Sequence, residues 1–357
     1  MALSSSDTGG ALDRRGIEAL DAADQLTDIL AIPEHLRDAL WKVESANIDP
    51  QDCPGGVVVA GMGGSAVGGA LARAILGDTA SRPIIAARGY GLPSWTTPDT
   101  MVLCSSYSGN TEETLACYEA AGALGAPRIV VTTGGELAKQ ARADGVPVIP
   151  VAGGLQPRAG VAYMTVAALQ VAALTGAAPH VTSEIDVAAE HLEALVMEWG
   201  PEGADDSLAK TLARALHGSV PVLAGAGLTV PLAYRWKTQI NENAKIPAFA
   251  HELPELDHNE LVGWAGASEL GRFAAVFLDD ADTHPRVKQR IELTQRIIGD
   301  QATSTHVVAS RGQTTVERVF SLVLLGDLVS LYLAVLRGID PTPVDAIESL
   351  KAELARG

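Results

Sequence analysis

The stretch GGVVVAGMGGSAVGGALARAIL, residues 55–76, decides the fold. Its apolar run Val57–Ala60 is short and unbroken, as in a strand buried on both faces. The glycine loop Gly61–Ser65 follows, and the pattern then changes to that of a helix. RPIIAARGYGLPSW (82–95) supplies a second short strand. TMVLCSSYSGNTEETLACYEAAGALG (100–125) repeats strand, polar loop and helix. APRIVVTTGGELAKQARADG (126–145) does so again, and VPVIPVAGG (146–154) is another strand. Short apolar runs alternating with helices predict βαβ units and a parallel sheet. The apolar helix GVAYMTVAALQVAALTG (160–176) closes the unit.

Upstream, residues 1–15 have the character of a loose tail. Residues 16–47 carry helical periodicity through Ile17, Leu20, Leu26, Ile29 and Leu30, then Leu36, Leu40 and Val43, with Pro33 opening the second helix. Downstream, 177–215 is more polar and holds one amphipathic helix, Ile185–Trp199, followed by the linker-like PEGADDS. A second series then begins. SVPVLAGAG (219–227) is a strand and glycine turn, and LTVPLAYRWKTQINENAK (228–245) is a helix. FAAVFLDD (273–280), a helix from about Pro285 to Ile298, THVVAS (305–310) and an apolar helix from about Val316 to Arg337 complete it. The expected class is α/β, with two tandem doubly wound domains, each a parallel sheet flanked by helices. The expected division is 1–50 tail and helices, 51–176 first domain, 177–215 helical linker, and 216–357 second domain with a C-terminal helix started by Pro343.

The chain has 357 residues, 47% of them apolar and 19% charged, enough for a sizeable core in two domains. Aromatics are only 4%, so aliphatic side chains do most of the packing. A net charge of −17 argues against nucleic acid and anionic membrane surfaces, which need a basic face. A small anionic substrate stays open, because a local loop of N–H groups binds one even in an acidic protein. Cys53, Cys104 and Cys117 form neither a C-x-x-C pair nor an even framework, which speaks against a disulfide scaffold and a thiolate zinc site. MALSSSDTGGALDRR lacks the apolar core of a signal peptide. The longest apolar run, Val319 to Leu336, is interrupted by Ser321, Gly326, Asp327 and Ser330, so a buried core helix is expected there. The expectation is a soluble, reduced, cytoplasmic protein.

Two loops could carry chemistry. GMGGSAVGG (61–69) lets backbone approach an anion at a helix N-terminus, or is simply a tight βα turn. It also fits a dinucleotide fingerprint loosely, but the second strand ends Ala86-Ala87-Arg88 rather than in an acid, which leaves only an NADP version of that reading. The second loop, Ser105-Ser106-Tyr107-Ser108-Gly109-Asn110-Thr111, ends where a helix begins. Asn110 with Glu113 resembles a capping box. Capping does not explain Ser106, Ser108 and Thr111 together. Hydroxyls beside unpaired helix N–H groups make a neutral phosphate cradle, and no Lys follows as in a Walker loop.

SYSGNTEET after a strand resembles the phosphate loop of the sugar isomerase (SIS) domain. With GGSAVGG, the tandem halves and INENAKIPAFAHELPELDHNELVGW (240–264), the chain is similar, from about residue 50 onward, to the bifunctional phosphoglucose/phosphomannose isomerase family. The resemblance implies that Gly64, Ser65, Ser106, Ser108 and Thr111 hold a sugar phosphate. It implies that Arg158 stabilises an enediolate near C1–C2, that Glu242 is the base, and that His258 and Lys351 assist ring opening. It further implies a homodimer with shared active sites, in which His258 crosses to the partner subunit. No cofactor is implied, and the partners reduce to a sugar-phosphate substrate.

By pattern alone these residues have blander readings. Glu242, in Asn241-Glu242-Asn243 near a helix end, reads as a solvated helix Glu, His258 as a structural loop His, Lys351 as a surface Lys and Arg158 as a surface loop Arg. Only their joint fit to one family reverses that. Aldose–ketose isomerisation needs a carboxylate on one face of a cis-enediol and a cation for the developing oxyanion. HELPELDH also invites a metal reading through His251, Glu252, Glu255 and His258, but the H-E-x-x-H spacing is missing, Pro254 breaks the helix, and no metal is expected. The expected activity is interconversion of glucose 6-phosphate or mannose 6-phosphate with fructose 6-phosphate, with Thr342 a candidate for shaping the space around C2. The rivals are a non-catalytic SIS module sensing a sugar phosphate and an NADP-binding α/β enzyme.

Overall fold

The computed structural model describes residues 11–354 and 356. Three helices open the chain, α1 Arg14–Glu18, α2 Gln25–Leu30 and α3 Ile32–Ser45. The tail expected over 1–15 lies outside the described residues up to position 10. Beyond that the expectation needs correcting, because Leu12 is buried and the Asp13 side chain caps α1 by accepting the Gly16 N–H.

The first sheet holds β1 Val57–Gly61, β2 Ile84–Ala87, β3 Met101–Ser105, β4 Arg128–Thr132 and β5 Val148–Pro150. All neighbours are parallel in the order β2-β1-β3-β4-β5. The connecting helices are α4 Gly63–Leu76, α5 Glu112–Leu124 and α6 Gly135–Ala143, and α7 Val161–Leu174 follows β5. Because β1 lies between β2 and β3, the chain reverses direction across the sheet at β1. That opens a crevice beyond the carboxyl ends of β1 and β3, where ligands of such sheets bind.

After α8 Thr182–Trp199 and α9 Leu208–Leu216 the pattern returns. β6 Val220–Gly225, β7 Phe249–Glu252, β8 Phe273–Asp279 and β9 Ser304–Ala309 form a parallel sheet in the order β7-β6-β8-β9. Its helices are α10 Val230–Gln239, α11 Ala267–Leu270, α12 Pro285–Ile298 and α13 Thr315–Leu336, and α14 Asp345–Leu354 ends the described chain. β7 has no counterpart in the expected strands. It is a four-residue edge strand whose ends are exposed, so it carries no alternation to detect.

α4 rests on β1 and β2 and touches α10, which rests on β6 and β7. Residues 177–215, expected as a helical linker, are helical, and α8 and α9 bury Ile185, Leu192, Trp199, Leu212 and Leu216 in the main core against α3 and α13. One continuous apolar cluster runs from Leu12 to Val335 through both sheets. α13 is long and apolar enough to cross a bilayer, and it is buried inside the protein instead, as its interrupting Ser321, Asp327 and Ser330 led one to expect.

Candidate active site

The loops after β1 and β3 meet at the first sheet's crevice. Ser65 lies in the first turn of α4, and its Oγ accepts the Tyr107 N–H at 3.3 Å. Ser106 Oγ accepts the Gly109 N–H at 3.1 Å and lies 2.9 Å from Thr111 Oγ1, while Ser108 Oγ accepts the Asn110 N–H at 3.2 Å. Gly109 has φ +70°, and a Cβ there would sit 1.9 Å from the Gly134 carbonyl oxygen, so only glycine fits this turn. α5 begins at Glu112 with Thr111 as its N-cap and no side-chain cap, so its first-turn N–H groups lack helix partners.

The capping box expected from Asn110 and Glu113 is not formed. The Gly109 turn carries Asn110 away from α5, and its Oδ1 instead accepts the Glu136 N–H of α6 at 2.9 Å. Asn110 thus ties the two loops of the sheet together and leaves the α5 N-terminus open.

Tyr107 joins the hydroxyl loop to the loop after β5. Its hydroxyl donates to the Ala152 carbonyl at 3.0 Å and accepts the Leu155 N–H at 2.8 Å. Three residues further on, Arg158 is 4% exposed, not the surface loop Arg its pattern suggested. Gly64 lies against it, since a Cβ on Gly64 would meet Arg158 Cα at 3.4 Å. Arg158 Nε donates to Asn243 Oδ1 at 2.7 Å, and Nη2 donates to Gln25 Oε1 at 2.8 Å and to the carbonyls of Pro341 at 3.1 Å and Thr342 at 3.3 Å. Nη1 faces Glu242 Oε2 at 3.6 Å. Burial lowers the guanidinium's pKa, and the Glu242 charge opposes that. Arginine stays protonated throughout.

Glu242 stands on a single π turn, Ile240–Ala244, that ends α10. Such turns widen a helix and re-aim one side chain, often at functional sites. The turn stops at Lys245, which has a left-handed φ of +52°. Lys245 Nζ donates to the carbonyls of Glu242 at 2.6 Å and Pro341 at 2.7 Å, and burial together with the nearby Arg158 charge lowers its pKa. Asn243, fully buried, accepts from both Arg158 and Gln25 and donates to Ser330 Oγ at 2.8 Å. Gln25 is placed by Asp21, whose carboxylate accepts the N–H groups of Gln25 and Leu26. Beneath the site, Arg235 Nη2 donates to the Arg158 carbonyl at 3.2 Å and to Asp327 Oδ2 at 2.6 Å, an ion pair almost wholly buried. Burial raises the Asp327 carboxyl's pKa, and Arg235 opposes the rise.

The structure therefore brings together Gly64, Ser65, Ser106, Ser108, Thr111 and the Arg158–Glu242 pair around one crevice. It does not place the other two expected residues there. Lys351 lies exposed on α14 with no ion pair or hydrogen bond among the described residues, and Lys245 is the amine beside Glu242. His258 is exposed at the end of a short 3₁₀ turn, Glu255–His258, held to α12 by Asp257 through Arg290 at 3.1 Å and Thr294 at 2.9 Å. α10 leaves the carboxyl end of β6 and runs back along the sheet, so Glu242 lies at the amino end of the second sheet, whereas His258 follows the carboxyl end of β7. The ten residues of α10 and the five of the π turn separate those ends by ~20 Å. In the HELPELDH segment, His251 pairs with Glu260. Among the described residues no three His, Cys, Asp or Glu side chains stand close enough to share an ion.

Gln25, Asn243, Arg235, Asp327 and Lys245 were missed from the sequence. Asn243 and Lys245 lie in the segment that carries the family resemblance, Arg235 in the helix pattern before it, and Asp327 shows only as a break in an apolar run. Gln25, Arg235 and Asp327 contact the site across long sequence separations that no local pattern records.

Two parallel sheets, each with its switch point beside a central strand, and a hydroxyl-rich loop at the first of them define an α/β protein of the SIS class. Over residues 205–354 the chain matches the bacterial phospho-glucose isomerase C-terminal SIS domain. It is 40% identical over 329 residues, 91% of this chain and 97% of the relative, to a bifunctional phosphoglucose/phosphomannose isomerase of Caldicellulosiruptor bescii. A protein of the same description from Aquifex aeolicus is 35% identical over 84% of this chain and 91% of its own. The chain belongs to the bifunctional phosphoglucose/phosphomannose isomerase family. Among solved structures, a hypothetical protein of Thermus thermophilus superposes with a TM-score of 0.71 at 16% identity, covering 94% of this chain and 91% of its own, which shows the shared fold.

Proposed function

We propose that this protein is an aldose–ketose isomerase that interconverts glucose 6-phosphate or mannose 6-phosphate with fructose 6-phosphate through a cis-enediol. The observation that carries the reading is the Arg158–Glu242 pair at 3.6 Å, backed by Gly64, whose neighbour Ser65 accepts the Tyr107 N–H of the hydroxyl loop. The phosphate sits among Ser65, Ser106, Ser108, Thr111 and the open N–H groups of α5. That leaves the other end of the sugar at Arg158 and Glu242. Glu242 takes the proton from C2 of the aldose and returns it to C1, and Arg158 stabilises the enediolate oxygen. Once deprotonated, C2 is planar, so both aldoses give one enediol. Dual specificity then needs only room for re-protonation from either face after rotation about C2–C3. Thr342 is part of that room. Its carbonyl accepts from Arg158, and its Oγ1 is buried without a hydrogen-bond partner among the described residues.

Ring opening falls to His258 and a lysine. Because His258 and Glu242 sit at opposite ends of one subunit's second sheet, the reading includes a cytoplasmic homodimer in which His258 reaches the partner's site. Lys351 keeps its proposed part on the same terms, approaching from α14. The testing experiment is a coupled assay that offers glucose 6-phosphate and mannose 6-phosphate separately, with exchange of the C2 hydrogen measured in deuterated water. Turnover and exchange with both sugars are expected. Binding without turnover of either sugar would instead establish a sugar-phosphate sensor.

A further inference from the structure

We propose that the cleft between the two domains, on the flank of β2, is a second anion site that takes a small phosphate ester or polyphosphate at the same time as the sugar phosphate occupies the crevice. A cavity of about 540 Å³ opens there. That is within the ~300–1,000 Å³ typical of small-molecule pockets. Its wall is mostly small and apolar, and two arginines line it from the first domain, Arg73 near the end of α4 and Arg88 just beyond β2. The second domain contributes Val230 and Tyr234 of α10. Arg88 stacks 4.9 Å from the Tyr234 ring centre, and Lys237 Nζ lies 5.3 Å from the same ring.

Acidic residues outnumber basic ones 43 to 26, yet none of Arg73, Arg88 and Lys237 makes a salt bridge or a side-chain hydrogen bond among the described residues. Two arginines on one cavity wall, with Lys237 over the Tyr234 ring outside it, leave a positive excess that a bound dianion offsets. Arginine's planar fork matches phosphate oxygens. Glu252 is the one carboxylate on the wall, and it suits a ligand hydroxyl rather than a phosphate. Arg88 is also the residue on which the NADP reading turned. It faces an aromatic ring of the other domain, about two helical turns along α10 from Glu242, so this site is separate from the Arg158–Glu242 pair.

The test is calorimetric titration of the full chain with ADP and with inorganic pyrophosphate, each in saturating fructose 6-phosphate to keep the crevice filled. One site per chain is expected. Arg73→Gln with Arg88→Gln should weaken it at least tenfold while isomerase kcat/KM and melting temperature stay at wild-type values, since both side chains are exposed. Equal affinities for the two probes would support the proposal with phosphate groups as the recognised feature, and a preference for ADP would support it with a base seated at Tyr234. The proposal is overturned if neither probe binds at millimolar concentration, if fructose 6-phosphate displaces them, or if the double variant binds as tightly as wild type.

Discussion

In the proposed mechanism Glu242 and Arg158 meet the two demands of enediol chemistry, a base and a cation for the developing charge, and their 3.6 Å separation lets both reach adjacent carbons. Glu242→Gln keeps the shape and removes the proton acceptor, so the rate should fall by roughly 10²–10⁴-fold, the usual scale of general-base catalysis. KM should move little, because phosphate binding is assigned to other loops. Exchange of the C2 hydrogen with deuterated water should vanish for both aldoses at once. Wild-type exchange with either sugar would remove Glu242 from the role of base. At this scale the sequence was legible only through family resemblance. Arg158 in a Gly/Pro loop looks like a surface residue, and its burial depends on Gln25, 133 positions earlier, and on Pro341, 183 positions later. A local pattern cannot register partners at such separations.

Strand, loop and helix were more legible than single side chains, because burial of a parallel strand forces an unbroken apolar run while helices alternate. That logic anticipated β1 to β6, β8 and β9 and the hydroxyl loop at the crevice. It failed where local rules compete. Asn110 has the spacing of a capping box, yet the left-handed Gly109 turn sends it to α6. β7, between Pro247 and Pro254 at a sheet edge, offers no periodicity. The π turn carrying Glu242 has no sequence signal distinct from a helix end. The hydroxyl loop yields the prediction that belongs here. Ser106→Ala with Ser108→Ala removes contacts made equally to substrate and transition state, so steady-state kinetics should show KM raised and kcat little changed. An unchanged KM would place the phosphate elsewhere. Circular dichroism should stay native, since Ser108 is exposed and the Gly109 turn is held independently by the Leu137 N–H bonding to its carbonyl at 2.9 Å.

Across the whole molecule, the site depends on how the two domains are joined. Arg235 of α10 binds Asp327 of α13 and the Arg158 carbonyl of the first domain in one buried contact. Arg235→Met strands Asp327 without its partner and should cost ~3–5 kcal/mol in chemical denaturation. Adding Asp327→Leu should restore much of that stability, because a buried pair exchanged for apolar groups of similar volume is near neutral. Activity should not return with it, since the Arg158 carbonyl still lacks its donor. Recovery of both would reduce the pair to a packing role. The larger question is which chain supplies His258. Within one subunit, α10 carries Glu242 away from the carboxyl end of the second sheet, while His258 emerges at that end on a turn anchored to α12 by Asp257. Such a subunit holds its own His258 about 20 Å from its own Glu242, and in the proposed homodimer the partner's histidine would take that place. Glu242→Gln and His258→Ala proteins, each nearly inactive alone, should therefore regain activity on mixing. A random mixture forms half its dimers as heterodimers. In these, one of the two sites receives an intact Glu242 from one chain and an intact His258 from the other, so about a quarter of wild-type activity should return. Fluorescence energy transfer between labelled subunits would confirm that exchange had occurred. Exchange without recovered activity would place His258 in its own chain's site, or outside the chemistry altogether.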